Sequence, residues 1–369
     1  MVRRAQAAEG EGDMDRMQRP RHSVVTIDDV ARLAGVSRAT ASRAIAATKP
    51  VREITRGRVM EAARTLNYQP NLAARSLASG STERIGVICS NPSAGYLSAF
   101  LLGAMERSAS RGAELLLFNC SLGDQQSERA ALSRLSGSAI SGLLLPSPLE
   151  GALASRLLKE MNLRTVAVGA GEAADFSCVH IDDRAATREM TEYLLRLGHR
   201  RIGFIAGHPS HQSSRARTIA FMETMAGQAD SLPLIAQGYF TFNSGLNAAE
   251  QLITCAERPT AIFASNDDMA AAVISVAQRL GLAVPRDLTV VGYDDTDLAV
   301  TLWPPLTTIR QPVSEMAAMG VDLLLHEVRS SRRGAPPETL DLVKPHQLVE
   351  RLSAAPPASK SVEARTSVA

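Results

Sequence analysis

The sequence predicts an α/β protein in two parts, a small N-terminal helical head and a larger two-lobed core of parallel sheets. Three observations predict it. Residues 25–45, VTIDDVARLAGVSRATASRAI, describe two short helices meeting at a glycine. From Arg84 onward, strand-like apolar runs alternate with helical stretches of roughly 10–20 residues, the pattern of parallel strands joined by crossover helices. Charge is also divided unevenly. Residues 1–80 hold 14 Lys+Arg against 8 Asp+Glu, a net of +6, and a whole-chain net of +2 leaves −4 for residues 81–369.

Residues 1–22 are rich in Arg, Glu, Gly and Met without periodicity and are expected to be a disordered tail. Thr26 and Asp29 then stand at the spacing of a capping box. Ile27, Val30, Ala31 and Ala34 recur at helical intervals and form one apolar face. Gly35 supplies the turn, where a left-handed backbone costs least without a Cβ. Ser37 can cap the next helix, and Val36, Ala41 and Ile45 can pack it against the first. Arg38, Ala39, Ser42 and Arg43 are left facing outward. A unit of this size enters a DNA major groove, where arginine donates two bonds to guanine. The pattern equally suits an ordinary helical hairpin with a solvated charged face. Thr55–Asn67 reads as a third helix, with Val59, Ala62, Ala63 and Leu66 closing a small core. Tyr68-Gln69-Pro70 stops it. The run from Asn71 to Ala78, with Asn71 as its cap, is too short to be stable alone. It suits a helix ordered on nucleic acid, with Leu77 as a minor-groove wedge, or a plain alanine-rich linker.

In the core, strands are predicted at Ile85–Cys89, Leu115–Asn119, Gly142–Leu145, Thr165–Val168 and Val179–Ile181. A second series follows at Ile202–Ala206, Leu234–Gln237, Ala261–Ala264 and Leu288–Tyr293. That number of strands suggests two doubly wound lobes, with ligands outside the carboxyl ends of the strands. Ser90 and Asn91, Tyr96, Gly169, Arg217, Ser265 to Asp268, and Asp294 with Asp295 lie at or shortly after such ends. Carboxylate and amide oxygens, a guanidinium fork and an aromatic ring together suit a polyhydroxylated ligand. The plainer alternative is helix capping, which is the expectation for Asp268 and Asp295.

Several function classes find no support. No apolar run approaches the roughly 20 residues of a membrane span, and residues 1–22 lack the apolar centre of a secretory signal. Cys89, Cys120, Cys178 and Cys255 are scattered without metal-ligand or redox spacing and are expected to be reduced thiols. His208 and His211 lack neighbouring ligands, so neither a metal site nor a cofactor is predicted. Gly169 to Ala174 fits GxGxxA, but Asp175 and Phe176 interrupt the helix that should follow, which leaves a glycine-rich loop at a cleft mouth. With no GKS/GKT, G-x-S-x-G or paired-histidine motif, an enzyme is not expected.

The words VTIDDVARLAGVS, SRAI, TRGRVMEAARTLNYQPN and AARSLASGSTERIGVI closely resemble the lactose-repressor (LacI/GalR) family of bacterial transcription regulators. LGHRRIG, NSG, VVGYDD and PLTTIRQP extend the resemblance, which covers roughly residues 24–353. It implies a helix-turn-helix DNA-binding head at 24–69 and a hinge helix and linker at 70–80. The core it implies is periplasmic-binding-protein-like, with an N-lobe of 81–182 and 311–340 and a C-lobe of 183–310 and 341–353. Residues 354–369 would form a second disordered tail. By position, DNA contacts are expected from Thr26, Ser37, Arg38, Ala39, Thr40, Arg43, Asn71, Arg75 and Leu77. Effector contacts are expected from Ser90, Tyr96, Ser213, Arg217, Phe240, Asn266 and Asp294. Ala39 replaces a commoner polar reader, Ala220 a glycine, and the loop Asn91 to Gly95 departs from the family pattern. The resemblance implies a cytoplasmic, nucleoid-associated homodimer that acts as a regulator, expected to be a repressor. Its operator affinity would be set by a small molecule, expected to be a sugar. The alternatives are a carbohydrate-binding protein without DNA function, a regulator with a purine-type effector, or a sugar-modifying enzyme on the same fold.

Overall fold

A computed structural model describes residues 26–46, 51–66, 68, 83–121, 124–146, 161, 163–169, 176–228, 230–334, 336 and 338–358. Residues 1–22 and the hinge segment, with Asn71, Arg75 and Leu77, lie outside the described residues. The chain divides into two compact units, Met1–Ala78 and Ser79–Ala369.

The head is three helices, α1 (Ile27–Ala34), α2 (Arg38–Ala46) and α3 (Glu53–Thr65). Asp29 accepts from the Thr26 backbone N–H at 2.9 Å and from its hydroxyl at 2.7 Å, which starts α1. Gly35 ends it at φ 63°, in the region that needs no Cβ. From α3, Arg58 donates to the carbonyls of Ala34 at 2.6 Å and Gly35 at 3.2 Å, holding the turn that aims α2. The third helix begins two residues before the predicted Thr55, with Glu53 in the first turn, where the helix dipole favours an acid. Val30, Ala31, Ala34, Ala41, Ala44, Val59 and Ala62 form the buried core of this unit.

The larger unit opens with β1 (Arg84–Cys89), α4 (Ala94–Arg111), β2 (Glu114–Asn119), α5 (Gln125–Ser136), β3 (Gly142–Leu145), β4 (Arg164–Val168) and β5 (Ser177–Ile181). It continues with α6 (Asp183–Arg196), β6 (Arg201–Ala206), α7 (Gln212–Ala226), β7 (Leu232–Gln237), α8 (Phe242–Thr254), β8 (Ala261–Ala264), α9 (Asp267–Arg279) and β9 (Thr289–Val291). The last elements are α10 (Asp297–Thr301), β10 (Thr308–Arg310), α11 (Val313–Arg332), β11 (Asp341–Lys344) and β12 (Gln347–Val349).

Two parallel sheets result. One has the order β11-β5-β4-β3-β1-β2, the other β7-β6-β8-β9, and β10 pairs antiparallel with β12. β1, β3, β4 and β6 lie between neighbours and are almost wholly buried, which is why they read as continuous apolar runs. One apolar core runs through both lobes, from Ile85, Tyr96 and Val166 of the first to Phe204, Phe221 and Tyr293 of the second.

Two expected boundaries need correction. Residues 341–344, expected in the C-lobe, form β11 on the edge of the N-lobe sheet, with Asp341 opposite Cys178 and Val343 opposite His180. Leu340 and Leu342 pack on the shared core there, so the chain leaves this lobe after Lys344. Residues 354–358 are not part of a loose tail. The Ala355 carbonyl is bonded to the His199 ring at 2.9 Å and accepts from Thr289 Oγ1 at 2.8 Å.

Candidate effector site and DNA-reading surface

In the head, the periodicity of α2 buries Ala41 and Ala44 and exposes Arg38, Ala39, Ser42 and Arg43, as the sequence predicts. Arg38 lies 3.6 Å from Asp28, with both side chains more than half exposed, a pair that contributes little and yields readily to a phosphate or base edge. Ser37 Oγ accepts from the Thr40 N–H at 3.2 Å, so Ser37 caps the start of α2. Thr26 is likewise engaged with Asp29, whose carboxyl is held below its usual range by those bonds and by Arg32.

In the core, Asn91, Ser93, Tyr96, Pro146 and Gly169 of the N-lobe meet His211, Ser213, Arg217, Phe240 and Asp294 of the C-lobe around one small void. Its volume is about 20 Å³, room for about one water. The lobes are closed on this site.

Arg217 is its centre and is 4% exposed. Its Nε donates to Asp183 Oδ1 at 2.8 Å, its Nη1 donates to the Ser265 carbonyl at 2.6 Å, and its guanidinium lies 3.6 Å from the Tyr293 ring centroid. Burial alone would lower its pKa. The Asp183 carboxylate, Tyr293 and Asp294 more than reverse this, so the group stays charged. Tyr293 completes the triangle by donating to the same Asp183 oxygen at 2.8 Å. Asp294 accepts from Gln311 Nε2 at 2.6 Å, and burial pushes its carboxyl well above the usual range despite Arg217 nearby.

Tyr96 is the group left incomplete. Its ring is buried in the shared core, and its hydroxyl has no hydrogen-bond partner among the described residues. A Cβ on Gly169, which sits at φ +84°, would lie 2.0 Å from that hydroxyl. Across the void, Phe240 and Asp294 hold φ 61° and φ 107°, strained for residues with a Cβ. Gly207 gives Phe240 its room, since a Cβ there would meet Cζ at 2.0 Å. His211 is pushed down to about 3, first by burial and then by His208, Arg217 and Arg215.

Of the sequence-predicted effector residues, Tyr96, Ser213, Arg217, Phe240 and Asp294 line the void, whereas Ser90 and Asn266 do not. Asn266 caps α9 through the Met269 N–H at 3.0 Å and donates to the Phe240 carbonyl at 2.9 Å, so it positions Phe240 from behind. Ser90 is buried, with its hydroxyl unpartnered among the described residues. The capping expectation fails for two aspartates. Asp268 accepts from Ser93 Oγ at 2.8 Å, bridging the lobes, and Asp295 pairs with Arg310 and Arg351, each at 2.6 Å. Asp183 and Tyr293 were missed as the supports of Arg217. Asp183 stands two residues past the end of β5, the same strand-end signal that singled out Asp294.

A helix-turn-helix with an outward basic face, followed by a two-lobed core closed on a polar void, defines a DNA-binding regulator that answers to a small molecule. Comparison with known proteins agrees. Residues 26–71 match the model of bacterial regulatory proteins of the lacI family, and residues 191–354 match a periplasmic binding protein-like domain. The HTH-type transcriptional repressor PurR of Photobacterium profundum is 34% identical over 83% of this chain and 92% of its own. PurR of Salmonella paratyphi B is 34% identical over 90% of this chain and 97% of its own. Among solved structures, the regulator CelR in complex with cellobiose is 28% identical, covering 89% of this chain and 100% of its own, at a TM-score of 0.67. The Lac repressor dimer bound to operator and the anti-inducer ONPF is 28% identical over 90% of this chain and 100% of its own, also at 0.67. The chain belongs to the lacI family of bacterial regulatory proteins. It is a DNA-binding transcriptional repressor controlled by a small-molecule effector, and not an enzyme.

Proposed function

We propose that the effector is a small polyhydroxylated molecule of the sugar class, bound where Tyr96, Ser213, Arg217, Phe240 and Asp294 converge. The observation that carries this reading is the buried Tyr96 hydroxyl, which has no hydrogen-bond partner among the described residues and stands opposite a charged Arg217. A hydroxylated ligand would satisfy it, with Asp294 accepting, Arg217 donating and an aromatic face against the C–H groups. The cellobiose complex of CelR supports the same class. A purine-type effector is the second reading, favoured by two aromatic residues on the lining and by the PurR relatives. Either ligand must open the lobes, since the void is about 20 Å³.

The DNA reading rests on α2. Arg38 and Arg43 would donate to base edges, and Ala39 would offer apolar contact to a thymine methyl. Thr26, Ser37 and Thr40 would meet the backbone. Asn71, Arg75 and the Leu77 wedge would act from the hinge segment. Two chains would read a pseudo-palindromic operator as a homodimer in the bacterial cytoplasm. Occupancy of the core would shift the grip by its difference in affinity for the gripping and released states.

The test is a thermal-shift panel of sugars, sugar phosphates and nucleobases, with each hit carried into operator gel shifts. A sugar that stabilises the core and changes operator affinity supports the proposal. A nucleobase doing so selects the second reading. Arg43→Ala is expected to weaken operator binding by about 1–3 kcal/mol and relax specificity at its base, while effector binding stays unchanged.

A further inference from the structure

Cys178 and His180 point to the same face of β5, two residues apart, and Asp341 stands opposite Cys178 on the edge strand β11. The Cys178 thiol lies 3.0 Å from Asp341 Oδ1, and His180 Nε2 lies 2.6 Å from the same oxygen. One ligand atom from each residue falls within 4.8 Å of the other two. The other ring nitrogen, Nδ1, lies 2.7 Å from the Ile181 carbonyl. That carbonyl can only accept, so Nδ1 carries hydrogen, and in a neutral ring Nε2 presents its lone pair to the carboxylate. At 2.6 Å a proton or a metal ion must lie between these two atoms.

The geometry points to a site for a borderline-soft divalent metal of the zinc class, with Cys178, His180 and Asp341 as its protein ligands and a fourth position left for solvent. Thiolate and imidazole favour zinc or cobalt over magnesium or calcium. The Nδ1–H bond to a backbone carbonyl is the support that metal-binding histidines generally receive. Zinc–ligand bonds of about 2.0–2.3 Å place tetrahedral donor atoms roughly 3.3–3.7 Å apart. The cluster reaches this when the exposed Asp341 carboxylate moves outward and the thiol and imidazole, now within 4.8 Å of each other, close by a rotamer adjustment. Access exists as well, since His180 and Asp341 border a solvent-open cavity of about 540 Å³. Sequence spacing pointed away from metal because the third ligand comes from a strand 161 residues beyond His180. A bound ion would pin β11 to β5, just before the chain leaves this lobe.

Reduced full-length protein is titrated with zinc against a chromophoric chelator, and in parallel with cobalt followed by absorption. Wild type is expected to take up one zinc per chain and to give a thiolate-to-cobalt charge-transfer band. Cys178→Ser, nearly isosteric, should abolish that band and weaken zinc binding at least tenfold. Asp341→Asn, on an exposed residue that should not disturb folding, should weaken it similarly. Failure of wild type to compete with the chelator, or wild-type uptake by both variants, would overturn the site and leave His180 and Asp341 as an ordinary hydrogen-bonded pair.

Discussion

Replacing Tyr96 with phenylalanine separates the effector site from an ordinary core position. The ring sits in the first turn of α4, packed in the apolar core that both lobes share, and phenylalanine keeps all of that packing. What it removes is a buried hydroxyl without a partner among the described residues. Burial and the Asp294 carboxylate raise its pKa, so it stays protonated at every ordinary pH. A buried unsatisfied polar group costs about 1–3 kcal/mol, and Tyr96→Phe should return that amount to the ligand-free protein. For a unit of this size, each 1 kcal/mol corresponds to roughly 2–4 °C in melting temperature. The same substitution deletes a hydrogen bond from the complex, about 0.5–1.5 kcal/mol, weakening the effector by up to about tenfold. The assay pairs calorimetric melting of the free protein with a binding titration. A lower melting temperature together with unchanged affinity would refute both the empty hydroxyl and the placement of the effector.

Gly169→Ala should drive the Tyr96 hydroxyl from its place, because the new Cβ would lie 2.0 Å from it on a backbone at φ +84°. Effector affinity should fall at least tenfold by titration while circular dichroism stays that of the wild type. Arg217→Ala removes one partner of a buried pair and leaves Asp183 with the Tyr293 hydroxyl, so denaturant titration should show a loss of about 3–5 kcal/mol. Effector response should vanish, and operator binding should persist under conditions where the variant stays folded.

Lobe closure should also depend on pH through His211, whose pKa is depressed to about 3 in the closed site and returns toward 6.5 once solvated. The open form therefore binds more protons between those values. Closure is fully favoured above pH 6.5 and weakens as pH falls, by about tenfold at pH 5.5. Asp294, raised by burial, works in the opposite sense, so the readout is the difference between the affinity profiles of wild type and His211→Asn. Identical profiles would rule out His211 as a proton-sensitive wall.

The head and the long strands were legible because their signals are local: a capping pair, a turn glycine, and unbroken apolar runs in doubly flanked strands. β10, β11 and β12 were not, because strands of three or four residues such as Asp341–Lys344 carry no periodicity and exist through their partners. Five residues of the void lining could be placed by resemblance, yet the supports of Arg217 could not. Nothing near Arg217 in sequence signals that Asp183, Tyr293 and the Ser265 carbonyl will surround it. Asp268 looked like a cap and instead latches one lobe to the other through Ser93, a bond between residues 175 apart in the chain.

The continuity of apolar packing through both lobes has a thermal consequence. Residues drawn from either sheet share one cluster beside the separate interior that each lobe keeps, and through that shared packing the larger unit should melt in a single endotherm. The three-helix unit has a separate interior in which Ala31, Ala34, Ala41, Ala44 and Ala62 outnumber the two valines. Its small apolar area should fail at a lower temperature and be rescued by operator through mass action. On warming, the molecule would therefore become deaf to its promoter while still able to sense its metabolite.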